Sequence, residues 1–371
     1  MRIAIIGTRG IPNNYGGFEQ FAEYISTGLA ECGHEVTVYN PHFHPYKGDA
    51  FGKVSIRRMY CPESYLGSSG HFIYDFLSLR DAMRGGFDAI YAAGYGTLAP
   101  SLIVSPKAPN LVVNMDGIEW KRSKWNRATR QLMKYFERIT VRRAPYLVSD
   151  NEGIRDYYKT TFQRDSFFIA YGAEAIGGFD ASTLSAFGLQ PEGYFLCIAR
   201  LEPENNIEAI LDGYCSSGRT EPFVVIGNYG LKFGQYLRDK YAGQHVLFLG
   251  ALYEKANLDN LRHFTKLYFH GHSVGGTNPS LLEAMAAGCP IAAHRNPFNR
   301  SVLGDNALFF SDNGEVKSLL VNLETFDESM KPHIQANYNT LQAKYSWKGI
   351  ISAHEQLFSQ IKSQSTNEKN H

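Results

Sequence analysis

The feature that most constrains this chain is a recurring unit: a short apolar run, a glycine or polar turn, then an amphipathic helical stretch. RIAIIG (residues 2–7) opens the series, the helical pattern FEQFAEYISTGLAECGH (18–34) follows with a stop at Gly33, and EVTVYN (35–40) is the next apolar run. FDAIYAAG (87–94) and NLVVNMDG (110–117) repeat the theme. Continuous apolar runs of this length are strands buried on both faces, and their alternation with helices predicts a doubly wound parallel sheet. The series restarts with YFLCIARLEPENN (194–206), its helix IEAILDGY, then PFVVIGNYG (222–230), HVLFLGAL (245–252), KLYFHGHS (266–273) and PIAAHRNP (290–297). The expected fold class is therefore α/β with two Rossmann-like domains, joined near residues 167–175, and a ligand cleft between the carboxyl ends of their strands. The last pattern, SWKGIISAHEQLFSQI (346–361), predicts an amphipathic helix, and the polar tail KSQSTNEKNH (362–371) predicts disorder.

Composition excludes several classes. A net charge of +1 over 371 residues gives no global signal for nucleic acid. The five cysteines (32, 61, 197, 215 and 289) have neither zinc nor disulfide spacing, which suits a reducing, cytoplasmic setting. MRIAIIG (1–7) is too short for the apolar stretch of a secretory leader and no run of eighteen apolar residues is present, so neither a leader nor a transmembrane helix is expected. The many Phe and Tyr residues suit packing first and ring stacking second.

Four stretches carry chemistry. GTRGIPNNYGGFEQ (7–20) follows the first strand and precedes the first helix, as a phosphate-facing turn would, but its glycine spacing is not G-x-G-x-x-G, which argues against a nicotinamide enzyme. Gly16 and Gly17 admit a ligand close to the backbone. Glu19 is either a helix-favouring acid after a flexible loop or an acceptor contact. GGTNPSLLEAMAAGCP (275–290) places Asn278 as a helix cap, Pro279 at the first helical position, and Gly288 and Pro290 at the exit. The N–H groups near Gly276, Thr277 and Asn278 then suit a diphosphate, while Glu283, one turn in, suits ribose hydroxyls or is an exposed surface acid. Arg200 in ARLEPENN follows a buried strand, where a guanidinium needs an anion or an internal carboxylate. The segment 116–143 is rich in Lys and Arg, including Lys124, with Trp120 and Trp125 interleaved; a solvated helix face and a helix lying on an anionic membrane both account for it. Asp116 and Glu119 in it are candidates for acid/base work or hydroxyl binding, or Asp116 caps a helix. Neither the histidines nor any Asp-x-Asp pair supplies a metal–diphosphate clamp, and no metal is expected.

GGTNPSLLEAMAAGCPIAAH, ARLEPENN and YGGFE together resemble the family-four, nucleotide-sugar-dependent retaining glycosyltransferases of GT-B fold, over nearly the whole chain. GTRGIPNNYGGFE with NMDGIEWKRSKW is similar to the bacterial rhamnosyltransferase-like branch that builds cell-surface polysaccharide. The resemblance implies a donor domain over 171–345 and an acceptor-side domain over 1–170, completed by a C-terminal helix (346–362) crossing back. It implies Arg200, Gly276, Thr277 and Asn278 at the donor diphosphate and sugar, Glu283 at the ribose, and Gly16 and Gly17 lining the diphosphate. Asp116 and Glu119 join Arg200 as the catalytic candidates, with Trp120 and Glu19 on the acceptor side. Gly227, Asn228, Ala251 and Leu252 would flank the base. It implies no cofactor: a nucleotide sugar, dTDP-L-rhamnose, is the substrate, transferred to a lipid-linked saccharide at the inner face of the membrane. A transferase using UDP-glucose and a non-catalytic binding protein are the alternatives. Two positions depart from the family pattern: Gly275 stands where a Glu is usual, and Asn205, among the donor contacts, where a Lys is usual.

Overall fold

The structure, a computed structural model, describes residues 1–122, 125–325 and 327–369; Lys124 lies outside the described residues. The chain divides into two compact units, Met1–Gly172 with Trp347–His371, and Ala173–Ser346.

Unit 1 is built on an eight-stranded sheet. Its strands are β1 (Arg2–Ile6), β2 (Glu35–Pro41), β3 (Ala50–Phe51), β4 (Val54–Met59), β5 (Ala89–Ala92), β6 (Leu111–Asn114), β7 (Tyr146–Ser149) and β8 (Phe167–Phe168). The order is β3-β4-β2-β1-β5-β6-β7-β8, parallel except for β3 against β4. Every residue of β5 and β6 is buried, as strands covered by helices on both faces require. Chain order therefore reverses between β1 and β5, the place where open α/β sheets bind ligands.

The C-terminal helix Trp347–Lys369 belongs to unit 1. Trp347 stacks on Tyr24 with ring centroids 4.3 Å apart, and a Cβ on Gly28 would sit 2.2 Å from Ile351 Cδ1. Helix Gly17–Glu31 can approach it this closely because residue 28 has no side chain. Residues 362–369 of the tail are helical rather than the disordered segment their polarity suggests, because they extend a helix already packed on unit 1; residues 370–371 lie outside the described residues.

Unit 2 carries six parallel strands, β9 (Phe195–Ile198), β10 (Phe223–Ile226), β11 (Val246–Gly250), β12 (Leu267–His270), β13 (Ile291–His294) and β14 (Leu308–Phe310). Their order is β11-β10-β9-β12-β13-β14, so the reversal falls between β9 and β12. Its core joins Phe195, Cys197, Phe223, Val225 and Phe269 of the sheet to Ile210, Tyr214 and Leu320 of the flanking helices. The largest fully buried side chains of the chain are all Tyr or Phe, so much of the aromatic content is core. Two of the buried tyrosines bond their hydroxyls to backbone carbonyls: Tyr74 donates to Tyr39 O at 2.6 Å and Tyr194 to Leu261 O at 2.7 Å. No helix among the described residues is long and apolar enough to cross a membrane.

Candidate functional site

The reversal point of unit 2 is flanked by the loops after β9 and β12, which carry Arg200 and the Gly275–Asn278 stretch. They are pressed together. A Cβ on Gly271 would lie 2.0 Å from the carbonyl oxygen of Asn205, so only glycine fits. Asn205, 3% exposed, donates Nδ2–H to Arg200 O at 2.7 Å, while its Oδ1 lies 2.7 Å from His272 Nδ1. Asn205, expected among the donor contacts, is thus a brace between the two loops, with both amide atoms engaged inside the protein. Arg200 also differs from expectation: its side chain is 61% exposed, and its nearest carboxylate, Glu202, is 4.0 Å away. Burial does not force a partner on it; it is a solvated cation beside the reversal point. His270, buried beneath, is held neutral well below the usual imidazole range, first by burial and then by the neighbouring His272 and His294.

Helix Pro279–Ala286 begins where the sequence indicates. Asn278 caps it, accepting from Ser280 N at 2.9 Å, and Pro279 takes the first position. Residues 275–277 lead into the positive end of its dipole. Thr277 is buried, so its side chain is less open to a ligand than its position suggests. Gly275 has φ +128°, and a Cβ there would meet His272 Nε2 at 3.0 Å. His272 therefore fills the space beside the position where the resembled family has its acid.

Glu283 is neither exposed nor unpartnered. Arg262 Nη2 donates to Glu283 Oε2, with the arginine side chain 3% and the glutamate side chain 27% exposed. Asp259 approaches the same guanidinium at 3.5 Å and also accepts from Lys255. The resulting chain of alternating charges holds the remaining edge of Glu283 toward solvent at the first turns of the helix.

The loops after β10 and β11 are joined, since Gly227 N donates to Gly250 O at 2.9 Å. Gly227 cannot carry a side chain, because a Cβ would lie 2.2 Å from Ala199 O. Asn228 closes its own turn by accepting from Gly230 N at 2.8 Å. Ala251 and Leu252 follow Gly250, with Ala251 exposed.

In unit 1 the first glycine-rich loop is braced rather than flexible. Asn40, fully buried, accepts from Ile11 N at 3.1 Å and donates to Ile11 O at 2.7 Å. Glu19, 4% exposed, accepts from Arg9 N at 2.8 Å, and burial raises its pKa. Glu19 thus holds the loop from inside; its carboxylate is not displayed as an acceptor contact. Gly16 is extended at φ −171°, a conformation open to any residue, and a Cβ would have only an ordinary 3.6 Å contact with Glu19. Neither backbone nor packing requires glycine there. Gly17 beside it is exposed.

Asp116 follows β6 and is half-buried, but it caps no helix: helix Arg127–Arg143 is capped by Asn126, which accepts from Thr129 N at 2.9 Å. Glu119 pairs with Arg122 at 2.8 Å, and Trp120 packs against the cluster of Ala99, Met133 and Phe136. The buried Asp150 and Asn151 at the end of β7 escaped the sequence reading, although Ser-Asp-Asn after an apolar run marks a strand end. Cys61, Glu63 and His71 place one potential ligand atom each within 4.8 Å of one another. Arg9 already pairs with Glu63 at 3.0 Å, and burial pushes the Cys61 thiol up to about 11, so the cluster is poorly suited to a cation.

Residues 187–339 match the family described as glycosyl transferases group 1. That match lies within unit 2. Residues 104–174 match a domain of unknown function, DUF1972. No curated protein matches the chain. Among solved structures, sucrose-phosphate synthase from Thermosynechococcus elongatus is 14% identical, with 98% of this chain and 99% of that chain covered and a TM-score of 0.82. HepE from Anabaena in complex with UDP is 14% identical, with 97% and 100% covered and a TM-score of 0.72. Trehalose 6-phosphate synthase from Burkholderia multivorans is 11% identical, with 99% and 98% covered and a TM-score of 0.72. These likenesses establish the fold, GT-B, and the region matched by the group 1 family spans the reversal point with Arg200, Gly275 and Glu283.

Proposed function

We propose that the chain is a retaining transferase that moves L-rhamnose from dTDP-L-rhamnose onto a lipid-linked saccharide in cell-surface polysaccharide synthesis. The observation that carries the donor site is the pairing of a solvated Arg200 with the capped N-terminus of helix Pro279–Ala286 on either side of the β9/β12 reversal. A diphosphate there meets a guanidinium and the positive end of the helix dipole, and both stabilise the charge that grows on the leaving group. Glu283, oriented by Arg262, accepts from ribose hydroxyls. Gly227, Asn228, Ala251 and Leu252 border the base. The departing diphosphate takes the proton of the attacking hydroxyl, so positioning and leaving-group stabilisation carry the reaction. Residues 1–170 with 346–362 form the acceptor side, where Asp116 and Glu119 engage the incoming sugar. The φ of +128° at Gly275 and the neighbouring His272 favour a donor sugar held without an acid at that position.

Helix Arg127–Arg143 supports contact with an anionic membrane. Its one carboxylate, Glu137, is buried, while Leu132 and Tyr135 are 45% and 55% exposed among its Arg and Lys residues. Vesicles containing anionic lipid should retain the protein at low salt and release it at high salt; no retention at low salt would contradict the contact.

HepE, whose structures hold UDP and UDP-glucose, favours a second reading with UDP-glucose as donor. Incubation with each donor and a polyprenyl-diphosphate-linked saccharide, read by mass spectrometry, separates the two. Rhamnosyl product supports the proposal and glucosyl product alone the second reading. Nucleotide binding without transfer points to a non-catalytic binding protein.

A further inference from the structure

The start of helix Arg127–Arg143 frames an open pocket of about 420 Å³ lined by Trp120, Lys121, Arg127, Arg130, Gln131 and Lys134. Four of the six lining residues are cations, and none of the four forms an ion pair with a carboxylate among the described residues. The nearest acids are engaged elsewhere. Glu119 pairs with Arg122 at 2.8 Å. Glu137 is buried behind the pocket, accepts from Tyr157 and Tyr158 at 3.1 Å each, and has its pKa raised by burial. Trp120 is fixed by packing on Ala99, Met133 and Phe136, and Lys134 Nζ lies 4.1 Å from its ring centroid, with Lys121 Nζ at 5.6 Å. Four neighbouring positive charges repel one another, and a compact multivalent anion removes that cost. The capped helix N-terminus adds its dipole in the same direction.

We propose that this pocket binds the diphosphate group of the acceptor substrate. The site rests on the reading of unit 1 as the acceptor side, and it assigns Arg130 and Lys134 the role of holding that group. Trp120 directly follows Glu119 in the short helical turn Glu119–Lys121, so an anion seated on Trp120 lies beside the loop that also bears Asp116. Exposed apolar residues are at hand for a lipid chain: Leu132 and Tyr135 on the same helix, and Ile103 and Val104, 45% and 70% exposed, on helix Ala99–Val104 packed against it.

Inorganic pyrophosphate and farnesyl diphosphate are titrated separately into the intact chain and into the variant Arg130→Gln/Lys134→Gln, with dTDP and UDP present to fill the donor site. The proposal expects wild-type binding of both probes and a loss of about tenfold or more in the variant, with melting temperature and nucleotide binding unchanged. Tighter binding of farnesyl diphosphate than of pyrophosphate identifies a lipid-linked group; equal affinity identifies a soluble phosphorylated one. Unaltered affinity in the variant, no binding by the wild type, or farnesol binding as tightly as farnesyl diphosphate overturns the pocket. Failure of dTDP and UDP to bind, with the pyrophosphate loss still seen, would instead break the donor reading and leave the pocket standing.

Discussion

Replacing Arg262 by Met tests the charge network under the ribose candidate. Met keeps most of the buried stem, so the change removes charge and hydrogen bonds with little loss of volume. Breaking a buried ion pair costs roughly 3–5 kcal/mol because one charge is left uncompensated. Here Glu283 keeps 27% of its side chain in solvent and Lys255 still pairs with Asp259, so the expected cost is lower, about 2–3 kcal/mol. For a unit spanning residues 173–346 that corresponds to a fall in melting temperature of roughly 5–10 °C. Adding Glu283→Gln removes the stranded charge and should restore about half of the loss or more. Scanning calorimetry on wild type, both single variants and the double variant gives the coupling. Strictly additive effects would refute the claim that Arg262 and Glu283 act as a pair.

Two further outcomes follow from packing and protonation. Gly271→Ala puts a methyl 2.0 Å from Asn205 O, so unit 2 should lose about 3 kcal/mol or more, read by chemical denaturation, and nucleotide binding should fall with it. Burial raises Asp75 to about 7, against a lowering hydrogen bond from Thr97. The folded state therefore holds a proton that the unfolded state releases near 3.8, and this contribution is lost as pH rises through about 7. Asp75→Asn should raise the melting temperature at about pH 8 and leave it nearly unchanged at about pH 4; an equal shift at both would contradict the assignment.

What the sequence made legible is local. The apolar runs at β1, β5, β9 and β12 announce buried parallel strands, and Asn278-Pro279 announces a helix start without any tertiary knowledge. What escaped depends on which loops become neighbours. Asn205 reads as a donor contact until the β9 and β12 loops are adjacent and Gly271 presses on its carbonyl. Arg262 and Glu283 lie on different helices with β12 between them, so no periodicity links them. Glu19 reads as a first-turn acid of ordinary kind; its engagement with Arg9 N exists only once the first loop folds back on the helix. Arg200 shows the opposite failure: following a buried strand does not make a residue buried, because the side chain leaves the sheet at its carboxyl end.

Calorimetric titration of dTDP and UDP into the wild-type chain and Arg200→Ala addresses the central claim most directly. A solvated arginine contributes little to folding, so the variant should keep the wild-type melting temperature. Its affinity for the nucleotide that the wild type binds should fall about tenfold or more, the expected loss of charge-assisted bonds to a diphosphate. Equal affinity in the two proteins, or no nucleotide binding by the wild type, would contradict a donor site at the β9/β12 reversal.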